Sequence, residues 1–231
     1  MAITRVKTFT NTVLHGTSFS YTFSAGATNT SDAIVVLVSI TDAVVPSSVQ
    51  ITATGWTWTQ LGTIITSAGN NSYTACFVAI APNTTIVTHT VAWVGGSGGS
   101  TSFQGAIGDE FTGNDTTGGS TTFDAFNSAS SGASGNPTVI VIPANNNDAL
   151  WGGTYDSVTA VGANFNVGVN DANGDWTEFQ ILTGGRGTPQ TVNFAGSAGG
   201  YTIFGVSIKP SGEAPGASQV PQISLLGAWR S

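Results

Sequence analysis

The sequence predicts an all-β protein, a two-sheet antiparallel β-sandwich of jelly-roll type with an extended C-terminal tail. Apolar runs rich in valine, isoleucine, threonine and aromatic residues recur along the chain, separated by glycine, asparagine and proline. No segment shows apolar residues at helical spacing, and the residue types that favour helices are scarce. Long glycine- and serine-rich segments suit the loops at the ends of jelly-roll sheets.

Segments with a strand pattern occur throughout the chain. Residues 19–23 alternate apolar and polar side chains, as a strand with one face in a core does. Residues 33–40 form an unbroken apolar run, which is typical of a central strand covered on both faces. The predicted strands span residues 19–23, 33–40, 61–65, 73–80, 86–93, 103–111, 138–142, 149–155, 176–182, 191–194 and 201–208.

Residues 1–210 are predicted to form one β-sandwich domain, and residues 211–231 a linker and a docking tail. A chain of 231 residues can bury a substantial core, and single all-β domains of this size are common. The tail begins with a linker-like composition and ends in an apolar tip that contains Leu225, Leu226 and Trp229. Because exposed leucine and tryptophan favour burial, we expect this tip to dock on its own domain or on a neighbouring subunit.

A weak internal repeat links the two halves of the chain. Segments at 71–74, 84–87, 95–99 and 103–107 are followed, in the same order, by similar segments at 174–177, 189–192, 196–200 and 201–206. The pattern is compatible with a duplication and with repeated hairpins inside one sandwich, and the second interpretation is favoured.

Composition and charge argue against several classes of partner. Charged residues make up 7% of the chain, the net charge is −7, and the five lysines and arginines form no basic stripe. The sequence therefore predicts neither a nucleic acid nor a membrane surface as a partner. Residues 1–10 lack the apolar stretch of a secretory signal, so we expect a protein made without a signal peptide.

No pattern of catalytic residues is recognisable, so we expect no enzymatic activity. His15 and His89 stand apart from any nucleophile motif, phosphate-binding loop or zinc-binding spacing. Cys76 lies in an apolar run and is expected to be buried. Asp109 and Glu110 are a candidate pair of glycosidase carboxyls. Neighbours on a strand point to opposite faces, however, which favours a polar strand end instead.

A loop at residues 170–175 is the best candidate for a metal site, and no other cofactor is expected. Asp171, Asn173 and Asp175 alternate oxygen-bearing side chains as calcium-binding loops do. The glycine lies one place early for such a loop, and Leu182 stands where a bidentate glutamate is needed. An Asn-Gly hairpin turn explains the same residues and is the favoured alternative to Ca²⁺ binding.

Trp56 and Trp58 are candidate carbohydrate-binding residues. In a strand the two rings lie on one face. If that face points outward, it forms a platform for a sugar ring. If it points inward, the rings belong to the core, and this alternative is favoured because aromatic side chains stabilise sandwiches.

Four segments of the chain resemble those of a known domain family. Residues 33–40 resemble an early core strand, and residues 49–61 a hairpin with the pattern Ser-Val-Thr-Tyr-Gly-Gly. Residues 111–117 are similar to Phe-Ser-Gly-Val-Asp-Gln-Thr-Thr-Pro, with Gly118 where the proline is usual, and residues 201–210 resemble a closing Gly-Val-Ser-Ile-Lys-Pro strand. The family consists of jelly-roll domains from tailed-phage structural proteins and bacterial surface or polysaccharide-associated proteins.

The resemblance implies a jelly-roll fold over residues 17–210 and brings no catalytic residue. It implies a virion structural protein of a tailed phage, either a capsid-decoration or a tail-associated subunit. Such a subunit is made in the host cytoplasm, ends in the virion, and acts by assembly with copies of itself and with other virion proteins. The alternative is an adhesin-like, carbohydrate-binding module that uses Trp56 and Trp58 to bind a host-surface glycan.

Overall fold

The structure of the protein, a computed structural model, describes residues 2–15, 20–67, 69, 71–96, 102–117, 119–155, 157–171, 174–196 and 199–212. Residues 12–15, 102 and 103 are described by their backbone alone. Within these ranges the chain forms sixteen β-strands and one short 3-10 helix, Gly119–Thr122. Every strand pairing is antiparallel, so the predicted all-β antiparallel sandwich is confirmed. In the described part of the chain, no helix is long and apolar enough to cross a membrane.

The strands divide into two consecutive sets of eight. The first set is β1 (Thr4–His15), β2 (Ser20–Ala25), β3 (Ala33–Thr41), β4 (Ser48–Thr52), β5 (Thr59–Ser67), β6 (Ser72–Ile80), β7 (Val87–Val94) and β8 (Ser102–Thr112). The second set is β9 (Phe123–Ser131), β10 (Thr138–Val141), β11 (Ala149–Thr154), β12 (Ala160–Val161), β13 (Asn166–Asn170), β14 (Trp176–Ile181), β15 (Gln190–Ala195) and β16 (Tyr201–Ile208).

The described strands form four sheets, which corrects the two that the sequence predicted. The first set gives a five-stranded sheet in the order β1-β8-β3-β6-β5 and a three-stranded sheet in the order β2-β7-β4. The second set gives β9-β16-β11-β14-β13 and β10-β15-β12. Adding eight to each strand number of the first set reproduces the second. The weak sequence repeat therefore corresponds to a duplicated fold.

Each set is an eight-stranded sandwich of jelly-roll type. Its strands pair as a nested hairpin, the first with the last, the second with the seventh and the third with the sixth. Both first strands also carry a β-bulge near their start. The two sandwiches are called repeat 1 (residues 4–112) and repeat 2 (residues 123–208) below.

A shared turn fixes the alignment of the two repeats. In repeat 1 the Asn29 amide donates to the Asp32 carboxylate (3.1 Å), directly before β3. In repeat 2 the Asn145 amide donates to the Asp148 carboxylate (3.3 Å), directly before β11. Both turns are followed by alanine, so the first residues of β3 and β11 are counterparts.

The four sheets stack in layers, with the two five-stranded sheets in the middle. One core lies between the two sheets of repeat 1, another between the two sheets of repeat 2, and the third between the repeats. Leu37, Phe111, Trp151 and Phe204 belong to the third core and are fully buried. Because both faces of the middle sheets are covered, eight consecutive residues of β3 are buried.

The packing between the repeats is symmetric about a pseudo-two-fold axis. Strand β5 contacts β9 and β16, and its counterpart β13 contacts β1 and β8. Strand β6 contacts β16, and its counterpart β14 contacts β8. Each contact thus has a mate with the roles of the repeats exchanged, which is the arrangement of an isologous dimer interface.

The segment between the repeats is tied to both of them. Asn114 accepts a hydrogen bond from the Ala33 amide (3.1 Å) in repeat 1. Asp115 forms an ion pair with Lys209, whose Nζ lies 2.7 Å from Asp115 Oδ2, at the end of repeat 2. The hydrogen bonds from Lys209 and from Thr117 lower the pKa of Asp115 to about 2. The segment that resembles the family motif at residues 111–117 thus joins β3 of repeat 1 to the end of repeat 2.

Candidate functional site

Trp56 and Trp58 face inward, which is the alternative that the sequence favoured. Trp56 is only 8% exposed and packs among Ile34 and Ala79 in a small core cluster. Trp58 is half-buried and stacks on Trp56 with ring centroids 5.7 Å apart. The pair therefore does not present two open ring faces to a sugar.

His89 joins the two tryptophans in an aromatic cluster and is fully buried. Trp58 Nε1 donates to His89 Nδ1 over 3.2 Å. That bond places the ring proton on Nε2, from which it is donated to the Ala25 carbonyl at 3.3 Å. Burial lowers the pKa of His89. Both ring nitrogens are occupied by structural bonds, so His89 is not positioned to act as a general base.

Replacing Trp56 with alanine tests this placement. We expect the free energy of unfolding to fall by about 3–5 kcal/mol, because a buried tryptophan leaves a large cavity. Urea unfolding measures the change, and Thr22→Ala on the exposed face of β2 is the control, with an expected change within about 0.5 kcal/mol. Equal, small effects of the two substitutions would place Trp56 on the surface instead.

Asp109 and Glu110 lie on opposite faces of β8, as the alternation of strand residues predicts. Both are buried, at 0% and 1% exposure. Asp109 points toward repeat 2, whereas Glu110 accepts a hydrogen bond from the Thr28 amide within repeat 1. A glycosidase requires two carboxyls on either side of one groove. Asp109 and Glu110 do not share a groove, so they do not have this geometry.

Asp109 is the centre of a polar network between the repeats. Arg5 Nε donates to Asp109 Oδ1 at 2.9 Å, and Trp151 Nε1 donates to Asp109 Oδ2 at 2.8 Å. The hydroxyl of Thr177 also donates to Oδ2. Burial raises the pKa of Asp109, and the bonds from Thr177, Trp151 and Arg5 oppose that rise. The Arg5 guanidinium carbon lies 5.3 Å from the centre of the Phe179 ring, a second contact from repeat 1 to repeat 2.

Repeat 2 contains a carboxyl pair that the sequence analysis missed, in which Asp148 is fully buried and Asp124 is half-buried. Asp148 Oδ2 accepts hydrogen bonds from the Asn145 amide (3.3 Å) and from Ser207 Oγ (2.8 Å). Asp124 accepts a hydrogen bond from the Asn145 side chain. Among the described residues, the Oδ1 atoms of Asp148 and Asp124 are buried without a hydrogen-bond donor. Burial, and next the charge of Asp124, raise the pKa of Asp148 to about 8.

At the corresponding position of repeat 1, a lysine side chain lies beside the carboxyl pair. There Asp32 lies beside Glu110, and Lys7 Nζ is 3.8 Å from Glu110 Oε2. The strand register makes Ala125 the counterpart of Lys7, so repeat 2 has no positive charge at that position. The repeated pattern Asn-x-x-Asp-Ala, at residues 29–33 and 145–149, is the sequence signal that could have revealed both carboxyl sites.

The loop at residues 170–175 closes the hairpin between β13 and β14. The Asp171 amide donates a hydrogen bond to the Asp175 carbonyl at 3.1 Å. Asp171 Oδ1 accepts a hydrogen bond from the Asp175 amide at 3.1 Å. Asn173 lies outside the described residues. No group of three or more histidine, cysteine or acidic side chains that could hold a metal occurs in the described part of the chain.

Repeat 2 also carries three exposed apolar side chains on neighbouring edge strands. Phe126 on β9 is 45% exposed, and Ile140 and Ile142 on and just after β10 are 50% and 54% exposed. Asn127 Nδ2 donates to the Ile140 carbonyl at 2.9 Å, which joins the two strands. We call these three residues the edge patch.

An apolar groove lies where the described chain ends. It has a volume of about 450 Å³. Its lining includes Ile3, which is 3% exposed, Leu182, which is 7% exposed, and Ile181, which is 37% exposed. The last described residues, from Pro210 to Gly212, complete one side. We call it the terminal groove. The predicted contact residues Leu225, Leu226 and Trp229 lie outside the described residues.

Comparison with known proteins assigns no family to this arrangement. No protein-family model matches the chain, and neither a curated protein nor a solved structure does.

Proposed function

We propose that this protein is a structural subunit of a tailed-phage virion, a capsid-decoration or tail-associated protein that acts by protein–protein assembly. Its partners are copies of itself and other virion proteins. Two kinds of support stand behind the proposal. The resemblance of residues 33–40, 49–61, 111–117 and 201–210 gives the class of protein. The edge patch supports assembly, since it offers a surface on which another subunit could pack.

The edge patch is the observation that carries the proposal. Strands β9 and β10 are each the outermost strand of their sheet. Edge strands offer unpaired backbone groups to other chains, and monomeric proteins protect such edges with lysine, proline or other charged side chains. Among their residues Asp124 is the one that carries a charge, neither strand contains lysine, arginine or proline, and three large apolar side chains are exposed on or directly after these strands. An edge of this kind favours association with another subunit.

Comparison of the repeats shows that the fold does not require these apolar residues. The register with β8 and β16 makes Thr8 the counterpart of Phe126. On β2, the counterpart of β10, the outward side chains are Ser20, Thr22 and Ser24. Strand β1 also carries Arg5 and Lys7, whereas β9 carries no basic residue. The exposed positions compared here are therefore polar in repeat 1 and apolar in repeat 2.

Light scattering coupled to gel filtration, with electron microscopy of the fractions, tests the proposal. We expect the wild type to form assemblies above the monomer mass of 23.4 kDa as its concentration rises. Ile140→Lys should return it to the monomer, because an edge lysine opposes strand pairing.

Ser24→Lys is the matched control, since Ser24 is exposed on the corresponding strand of repeat 1. It should assemble like the wild type. A wild type that stays monomeric at every concentration, or equal effects of the two lysines, would contradict an assembly role for the edge patch.

A further inference from the structure

We infer that the terminal groove is the docking site of the chain's own C-terminal segment, residues 223–229. This segment reads Ile-Ser-Leu-Leu-Gly-Ala-Trp and lies outside the described residues. The inference does not depend on the virion assignment, because it concerns a contact between two parts of this chain.

The chemistry of the groove matches that of the segment. The groove is lined by Ile3, Ile181, Leu182, Pro210 and small polar or backbone groups, and none of its lining residues is charged. Residues 223–229 are also uncharged and include Leu225, Leu226 and Trp229. A volume of about 450 Å³ accommodates a tryptophan side chain or two leucine side chains. Burial of such side chains is the main source of affinity between apolar surfaces.

The position of the groove matches the course of the chain. Residues 210–212 form part of the groove wall, so the tail starts at the site itself. Residues 213–222 separate the wall from the segment, and ten residues extend at most about 33–36 Å. Because this linker is rich in glycine, serine and proline, it permits a return to the same groove and also a reach to the groove of an adjacent copy. A short tether of this kind raises the local concentration of the segment near the groove.

Engineered disulfides in the full-length protein test the docking. Cys76 is the sole cysteine, is buried, and has a raised thiol pKa because of its burial, so it does not compete. Thr183→Cys places a thiol at the exposed rim of the groove, and Ala228→Cys places one in the segment. We expect this pair to form a disulfide under mild oxidation, since cross-linking requires Cα atoms within about 7 Å.

Two controls separate docking from random collision. Thr22→Cys with Ala228→Cys puts the first thiol on the exposed face of β2 and should cross-link slowly. Adding Leu225→Ser and Trp229→Ser to the groove pair should slow disulfide formation by about tenfold or more, because the apolar anchors are lost. Adding Val220→Ser, in the linker, should leave the rate unchanged.

Non-reducing electrophoresis reads the result. A cross-linked monomer shows docking within one chain, and a cross-linked dimer shows docking between chains, and either one supports the inference when it depends on Leu225 and Trp229. Equal rates for the Thr183 and Thr22 pairs, or a groove pair insensitive to Leu225→Ser and Trp229→Ser, would overturn it.

Discussion

Replacing Asp109 with asparagine is expected to lower the free energy of unfolding by about 3–5 kcal/mol, the usual effect of removing one partner from a buried ion pair. Asp109 is fully buried and accepts hydrogen bonds from Arg5, Trp151 and Thr177. All three partners are donors. An asparagine amide group would oppose at least one of them and leave the Arg5 charge without its counterion. Urea unfolding at pH 7 measures the change.

A double-mutant cycle with Arg5→Met separates the ion pair from the other bonds. The strand register makes Phe123 and Val206 of repeat 2 the counterparts of Arg5 and Asp109 of repeat 1. An apolar pair is therefore compatible with this position of the fold. We expect Asp109→Asn with Arg5→Met to be less destabilised than the sum of the single variants. A single Asp109→Asn variant that loses less than about 1 kcal/mol would contradict a central role for Asp109.

The sequence predicted the central strands well, and also the edge strands β2 and β10, whose side chains alternate between exposed and buried. The runs at residues 33–40, 73–80 and 201–208 correspond to β3, β6 and β16, which are buried nearly throughout. The strands absent from the prediction include β1 and β9, at sheet edges, and the short β12 and β13. Strand β9 reads Phe-Asp-Ala-Phe-Asn-Ser-Ala-Ser-Ser, because an edge strand has fewer apolar neighbours to meet.

The sequence predicted two sheets, whereas the described strands form four. A two-sheet sandwich leaves one face of each sheet in solvent, so its strands alternate in polarity. The unbroken run at residues 33–40 was interpreted as a strand covered on both faces, and this requires a third layer. Residues 149–154 and 201–208 carry the same signal in repeat 2. The sequence therefore contained the evidence for more than two layers.

The polar sites were harder to predict because they combine residues that are far apart in the chain. Asp109 and Trp151 are 42 residues apart, and Asp124 and Asn145 are 21 apart. Asp109 and Trp151 lie on different five-stranded sheets and meet only where the two repeats pack together. Asp124 and Asn145 meet because β9, β16 and β11 are neighbours in one sheet. By contrast, the bond between Asp171 and Asp175 spans four residues, and the favoured hairpin interpretation could be made from the sequence alone.

Replacing Asp148 with asparagine is expected to raise the free energy of unfolding at pH 8 by about 2–4 kcal/mol, with no comparable gain at pH 4. Asp148 is fully buried beside Asp124, and the two effects raise its pKa to about 8 from an ordinary value of 3.8. An asparagine amide can donate to the Asp124 carboxylate, while its oxygen keeps the bonds from Ser207 and Asn145. It therefore imitates the protonated acid at every pH.

The sign of the pH dependence follows from where the proton binds more tightly. Asp148 has the higher pKa in the folded protein, so the folded state holds the proton through the range from about pH 4 to pH 8. The wild type should lose stability as pH rises through this window, by at most about 1.4 kcal/mol per pH unit from this group. Burial also raises the pKa of Glu178 to about 7, which acts in the same direction. Asp148→Asn should therefore remove part of the slope and leave the part due to Glu178 and to the other buried carboxyls with a raised pKa, such as Asp109 and Glu110.

Urea unfolding between pH 4 and pH 9 provides the measurement, with Asp32→Asn as the matched control. Asp32 occupies the corresponding turn of repeat 1, where Lys7 lies beside the neighbouring Glu110. Because Asp32→Asn leaves the pair in repeat 2 intact, it should retain the difference between pH 4 and pH 8 that Asp148 produces. Should Asp148→Asn instead unfold more easily than the wild type at pH 8, the carboxylate must be stabilised where it lies. Stabilisation of the wild type by added Ca²⁺ would then show that a bound cation holds Asp124 and Asp148, and the absence of such stabilisation would show that the pair is ionised and held by its packing.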